Sequence, residues 1–253
     1  MTDDSQQDMQ KQPLVQHLIE LRSRLLYCVL AVLVVFLALF SFANNIYEFV
    51  AQPLQALLPE SSHMIATDVA SPFLTPFKLT LFTSVFLTIP FIFYQIWAFI
   101  SPAMYNKEKR LALPLLGSSI LLFYAGMAFA YYVVFPMVFG FFTAAAPDSV
   151  SVMTDIASYQ NFVIKLFFAF GAAFEIPVAT FIMISAGLFT PKQLAGKRPY
   201  VIVACFVVGM LLTPPDIISQ AMLALPMWVL FELGIIFGRL FTKERSEQAK
   251  DTP

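Results

Sequence analysis

The chain has 253 residues, 59% hydrophobic and only 12% charged, against roughly 45–50% and 25% in soluble domains. This composition belongs to a membrane protein and excludes an ordinary soluble domain. Fifteen Lys and Arg against 16 Asp and Glu leave no basic excess, which excludes nucleic acid held by phosphate neutralisation.

The N-terminal stretch MTDDSQQDMQKQP is polar and acidic, with no short apolar core before a small-residue cleavage site. We therefore expect no cleavable signal peptide and a cytosolic segment over residues 1–24. HLIELRSRLL, residues 17–26, approaches the first apolar run. Glu20 and Arg24 stand i,i+4 in the favourable order, which on spacing alone describes a surface ion pair. Cys28 and Cys205 lie in separate apolar runs and read as small hydrophobes rather than a disulfide. His17 and His63 have no neighbours at ligand spacing, so no metal is expected.

A helix needs about 20 mostly apolar residues to cross a hydrocarbon core. Six runs come near that: Leu25 to Phe42, Phe77 to Ile100, Leu111 to Phe142, Phe162 to Leu188, Tyr200 to Thr213 and Ile217 to Gly238. They predict an all-α polytopic protein with a six-helix domain over 25–238 and a tail over 239–253. The loop over 43–76 holds Pro53, Pro59, Pro72 and Pro76 and predicts a structured cap. In the loop YNKEKR, residues 105–110, Glu108 interrupts basic residues; by spacing alone it is a mixed-charge loop. The fifth run, bracketed by Pro199 and Pro214, leaves 14 residues, or about 21 Å of helix. With the turn LLTPPDIIS it predicts a last hairpin short in both limbs, beside which the bilayer thins.

Thirteen of the 15 Lys and Arg fall before the first span, in the second and fourth loops or after the last span. Basic residues collect on the cytoplasmic side, so both termini are predicted cytoplasmic. The opposite loops carry Glu48, Glu60, Asp68, Asp148, Asp155 and Asp216.

KLFFAFGAAFEIPVATFIMIS, residues 165–185, holds one carboxylate, Glu175, thirteen residues from each end of the predicted fourth span. An ionised group at that depth costs about 2.5–3.5 kcal/mol on insertion scales, so it faces protein or water. Lys165 lies ten residues back, about 15 Å along the helix, and cannot reach it. Pro177, two residues on, loosens a turn and frees backbone groups near the acid. Tyr94, Gln95, Tyr159, Gln160, Asn161, Thr213, Asp216 and Gln220 are candidates for lining a cavity. They are binding groups, and no nucleophile with its base accompanies them, so neither enzyme nor cofactor is expected. A proton-coupled small-molecule transporter is the alternative that a midplane acid allows. The absence of an inverted repeat in the sequence counts against it.

HLIELRSRL, ATDVASPFLTPFKL, YQIWAFISPAMYNKEKR, FVIKLFFAFGAAFEIPV and KRPYVIVACFVVGMLLTPPDIISQAMLALP occur in order between Pro13 and Arg239. Together they resemble the TatC family, the large integral-membrane receptor subunit of the twin-arginine protein translocase. The resemblance implies a concave, cup-like six-helix protein of the bacterial inner membrane. It would bind twin-arginine signal peptides of folded proteins, exported with the proton gradient as energy source. It further implies that Glu20 and Glu108 contact the twin arginines, with Phe99 beside them. Glu175 would face a pocket shared with small single-span partners of the TatA or TatB type. Asp216 and Gln220 near the last turn and Pro53 in the cap would serve partner docking or function. Lipid and further copies of the chain complete the implied partners.

Overall fold

The computed structural model describes residues 3–55, 64–100, 109–144, 153–213 and 217–248; of these, the side chains at 3–17, 53–54, 100, 109–112 and 241–248 lie outside the description. The regular structure among the described residues is helical, apart from a short bridge between two loops. They fall into two compact units, residues 1–46 with 76–120, and residues 47–75 with 121–253. Among the described residues, five helical stretches are long and apolar enough to cross a membrane: Leu18–Gln52, Ser71–Phe99, Leu113–Ala144, Ile156–Ser185 and Ile217–Leu240. The sixth, Arg198–Leu212, is shorter.

In the first unit, α1 (Asp3–Leu39) runs without interruption from the acidic segment into the first span. A 3-10 turn at Phe40–Phe42 then leads into α2 (Ala43–Gln55). Only 6% of the most apolar window of this stretch is buried, so α1 turns nearly all of its apolar surface outward. One of its inward contacts is Phe36, whose ring meets Phe77 edge-on at 5.2 Å. Phe77 belongs to α3 (Ser71–Ile100), which buries Leu79, Phe86 and Ile89. Thr80, Ser84 and Thr88 are buried on the same helix. Each hydroxyl donates to the carbonyl four residues back, on Pro76, Thr80 and Ser84 respectively, at 2.6–2.8 Å. This ladder satisfies three hydroxyls inside the helix, as a dry interior requires.

The third span is α4 (Lys109–Phe129), a π-helical turn at Ala130–Val134 and α5 (Phe135–Ala144). The Phe135 N–H bonds Ala130 O, five residues back, just before Pro136. The widened turn accommodates a ring that has no N–H to offer and would clash with a regular ladder.

The second unit packs the part of this span from Leu121 onward against α6 (Ile156–Phe174). Ala130, Val134, Phe135, Val138, Val163, Leu166 and Phe170 are fully buried. Phe135 meets Phe167 at 5.3 Å and Phe129 meets Phe170 at 5.6 Å between ring centres. Lipid tails are as apolar as these side chains, so close packing rather than exclusion of water holds such helices together. Gly126 shows how close: a Cβ there would stand 2.5 Å from Phe170 O.

The cap expected over 43–76 is structured where it is described, and residues 56–63 lie outside the described residues. Tyr159 Oη donates to Val50 O at 2.8 Å, and Tyr131 Oη to Phe49 O at 2.9 Å with the Phe49 and Tyr131 rings stacked. Ile65 pairs with Asp155 in a single parallel bridge, through Ile65 N to Thr154 O and Ile156 N to Ile65 O. Asp155 caps α6: its Oδ2 accepts from Ser158 N–H and O–H at 2.9 Å, and its Oδ1 from Thr67 N–H and O–H. A residue that the sequence presents only as one more loop charge is thus the knot between two loops.

The chain then forms α7 (Ile176–Ser185), α8 (Pro191–Gly196), α9 (Arg198–Leu212) and α10 (Ile217–Gln248). Gly187, at φ +72°, turns the chain out of α7, the left-handed ending that glycine allows at least cost. Thr190 and Gln193 cap α8 reciprocally, so the basic fourth loop carries a helix of its own. α9 has 15 residues, about 22 Å, confirming a short first limb. α10 continues beyond Glu232 to Gln248, which corrects the expectation that the second limb is short as well. Its bulk rests on α7.

Candidate functional site

Two arrangements, one in each unit, hold most of the described residues that the sequence singles out. In the first, the Glu20–Arg24 pair forms as its spacing predicts. Arg24 Nε and Nη2 both donate to Glu20 Oε1, at 3.0 and 2.6 Å. The side chains are 24% and 37% exposed respectively, so the pair is worth only about 0.3–0.5 kcal/mol, the range for i,i+4 partners near water.

The same guanidinium reaches α3. Nη1 donates to Gln95 Oε1 at 3.0 Å and Nη2 to Ala98 O at 3.3 Å. Ala98 lies in the last turn of α3, where carbonyls lack partners along the helix and the helix dipole favours a cation. Below this polar cluster an apolar groove of about 450 Å³ runs between α1 and α3, lined by Leu25, Cys28, Val32, Ile92, Ile96 and Phe99 among others. Arg24 and Gln95 lie on the groove wall. Glu20, Arg24 and Phe99 are therefore neighbours of one polar-headed groove. Gln95, expected to line a cavity, does line this one. Glu108 lies outside the described residues.

In the second unit the helix breaks at Glu175. α6 ends at Phe174 and α7 begins at Ile176, with the backbone of Glu175 at φ −79°, ψ −13° between them. Pro177 explains the break, since it has no N–H for the ladder and sits in the first turn of α7, where proline is tolerated. Glu175 is half-buried, with Oε1 shielded from solvent. The span runs Ile156–Ser185 rather than 162–188. Glu175 is accordingly ten residues from one end and nineteen from the other, nearer the basic-loop end than expected.

α10 lies against α7 through two glycines. A Cβ on Gly234 would stand 2.9 Å from Thr180 Cβ and 3.0 Å from Pro177 Cα, and one on Gly238 would overlap Ile184 Cδ1. The hairpin α9–α10 is stapled near both ends. Arg198 Nε and Nη2 donate to Glu232 Oε1 and Oε2 at 2.6 and 2.7 Å. Gln220 Nε2 donates to Phe206 O at 2.7 Å, with Gly209 leaving room for the Gln220 side chain. Gln220 thus binds within the hairpin. Tyr159 and Gln160, expected to line a cavity, are 3% and 2% exposed and bond the carbonyls of Val50 and Thr75 instead. Asp216 lies outside the described residues, and Pro53 is in the last turn of α2 with its side chain outside them.

Sequence reasoning missed the reach of Arg24 to α3 and the pairing of Arg198 with Glu232, which are separated by 71, 74 and 34 positions. The signal available for the second was that an acid within an apolar helix needs a partner.

A multi-span, all-α membrane protein with a broken fourth span and a polar-headed groove is the class these features define. The family described as Sec-independent protein translocase protein (TatC) matches residues 16–226. The chain belongs to that family. It is 59% identical to the Sec-independent protein translocase protein TatC of Azotobacter chroococcum over 250 residues, covering 99% of this chain and 97% of that one. The corresponding Escherichia coli K12 protein is 60% identical over 91% of this chain and 89% of its own length. A crystal structure of a twin arginine translocase receptor, TatC, superposes with a TM-score of 0.80 at 38% identity, covering 89% of this chain and 99% of that one. Family membership makes the chain a component of a protein translocase and not an enzyme.

Proposed function

We propose that this chain is the receptor subunit of a twin-arginine translocase. It captures the signal peptides of folded precursors at the cytoplasmic face of a bacterial inner membrane, with both termini cytoplasmic and the proton gradient as energy source. The observation that carries the reading is the Glu20 carboxylate, half-exposed at the head of an apolar groove and already holding a guanidinium through two N–H donors. Glu108 supplies the second carboxylate, and Phe99 the apolar wall beside them. Two arginines then meet two acids by charge-assisted, planar pairing that the compact ammonium of lysine reproduces poorly.

The remaining residues serve assembly. Glu175, at the break between α6 and α7, meets polar groups of a small single-span partner subunit of the TatA or TatB type or of an inserted signal peptide. Gln220 and Asp216, near the last outer turn, and Pro53, in the cap segment, serve partner docking or function, as the family resemblance implies. A folded cargo is wider than six helices can enclose, so copies of this chain and its partner subunits together build the passage.

The test is binding of a twin-arginine signal peptide and its twin-lysine version to the detergent-purified chain, wild type and Glu20→Gln, Glu108→Gln and the double variant. Preference for arginine should weaken in each single variant and vanish in the double. Equal binding of both peptides, indifferent to the substitutions, would refute the assignment of recognition to these acids.

A further inference from the structure

The polar contacts of Arg24 divide between two elements. On its own helix it gives two N–H donors to Glu20 Oε1; on α3 it gives donors to Gln95 Oε1 and Ala98 O. Arg24 therefore offers Glu20 the same chemistry that an arginine ligand would bring. It also has a second set of acceptors that would retain it if Glu20 were taken by another cation. The acceptors on α3 suit it well, since a helix C-terminus attracts positive charge and Ala98 O belongs to that terminus.

We propose that Arg24 is a built-in competitor for the Glu20 carboxylate, a guanidinium that an incoming arginine displaces and that α3 then holds. The inference rests on the receptor reading above. The Glu20–Arg24 pair is weak because it is local and partly exposed, so it yields to a ligand that brings a second arginine and an apolar segment. Displacing Arg24 costs every ligand the same free energy. The competitor therefore lowers the affinity for all basic ligands by one common factor and leaves the ratio between arginine and lysine peptides untouched. Its consequence is a threshold: a peptide with a single arginine, or with lysines, fails to hold the site long enough to matter. Gln95 is a positioning residue in this exchange. It steadies the displaced guanidinium on α3.

The experiment uses the full chain in detergent and measures the dissociation constants of twin-arginine and twin-lysine signal peptides. Arg24→Gln should tighten both by about twofold, by the same factor, the size expected when one weak i,i+4 ion pair no longer has to be broken. Arg24→Lys keeps the cation but not the paired donors, and should fall between wild type and Arg24→Gln. Gln95→Leu should weaken both peptides by roughly two- to threefold, a small effect because the Gln95 bond is made before displacement as well as after it, and only part of its worth separates the two states. Weaker or unchanged binding in Arg24→Gln, with Glu20→Gln still erasing the preference for arginine, would overturn the competitor and leave the receptor reading standing. A changed arginine-to-lysine ratio in Arg24→Gln would overturn it too, by making Arg24 a selecting group. Binding indifferent to Glu20→Gln in both backgrounds would remove the receptor reading and this inference together.

Discussion

Gly234 of α10 passes so close to Thr180 of α7 that a Cβ on the glycine would stand 2.9 Å from the Thr180 Cβ. Both neighbours it would meet, Thr180 Cβ and Pro177 Cα, are fixed to the backbone. Gly234→Ala should therefore destabilise the α7–α10 contact by about 1–3 kcal/mol, the usual cost of overpacking a tight site. Gly238→Ala would clash with Ile184 Cδ1, the free end of a side chain that can turn away, and meets the rest of that side chain at ordinary contact distance. Thermal unfolding in detergent should show a clear loss for the first variant and a small one for the second; equal melting temperatures would contradict the close approach.

The cap hangs on two tyrosines in different surroundings. Tyr159 is 3% exposed and donates to Val50 O, so Tyr159→Phe leaves a buried carbonyl without that donor and costs about 1–3 kcal/mol. Tyr131 donates to Phe49 O at a site water can reach, and Tyr131→Phe should cost little because water replaces the hydroxyl. Limited proteolysis within 43–76 should accelerate in the first variant and hardly change in the second.

Asp155 gives the fold an acid-sensitive joint. Hydrogen bonds from Ser158 N–H and Thr67 N–H, then from their hydroxyls, lower its carboxyl from 3.8 to about 2. A depressed value means the charged form is favoured by folding, so the stabilisation is fully present above about pH 4 and is lost as the pH falls toward 2. Amide exchange at Thr67 and Ser158, corrected for the intrinsic rate at each pH, should rise as the pH falls across that window and stay flat above it. In Asp155→Asn the rise should disappear, and persistence of the same pH profile would assign it to another group.

Glu175 separates stability from function. Replacing a half-buried acid by a well-packed apolar group is commonly neutral or stabilising, so Glu175→Leu should keep or raise the melting temperature. If the acid meets partner or peptide, export of a folded reporter should nevertheless fall in Glu175→Leu and in Glu175→Gln. Normal export by both variants would deny the residue that role.

The features legible in the chain were those set by neighbours in sequence. Span positions, the short α9, the Glu20–Arg24 pair and the break before Pro177 each follow from a local rule: hydropathy, helix length, i,i+4 spacing or a missing N–H. The ends of the spans were less legible. The fourth begins at Ile156 because Asp155 caps it, and the apolar run alone begins only at Phe162.

Tertiary structure alone decided which partner each polar group met. Asp155 binds Thr67 from 88 positions away, Gln160 binds Thr75 O from 85, and Arg24 reaches Gln95 across 71. Nothing in the flanking residues encodes these meetings, since each depends on which helix faces are brought together and on small residues such as Gly234 that let them approach. In a dry interior every donor must find an acceptor. Local sequence therefore declares the need for a partner, and the packing of distant helices determines which one answers it.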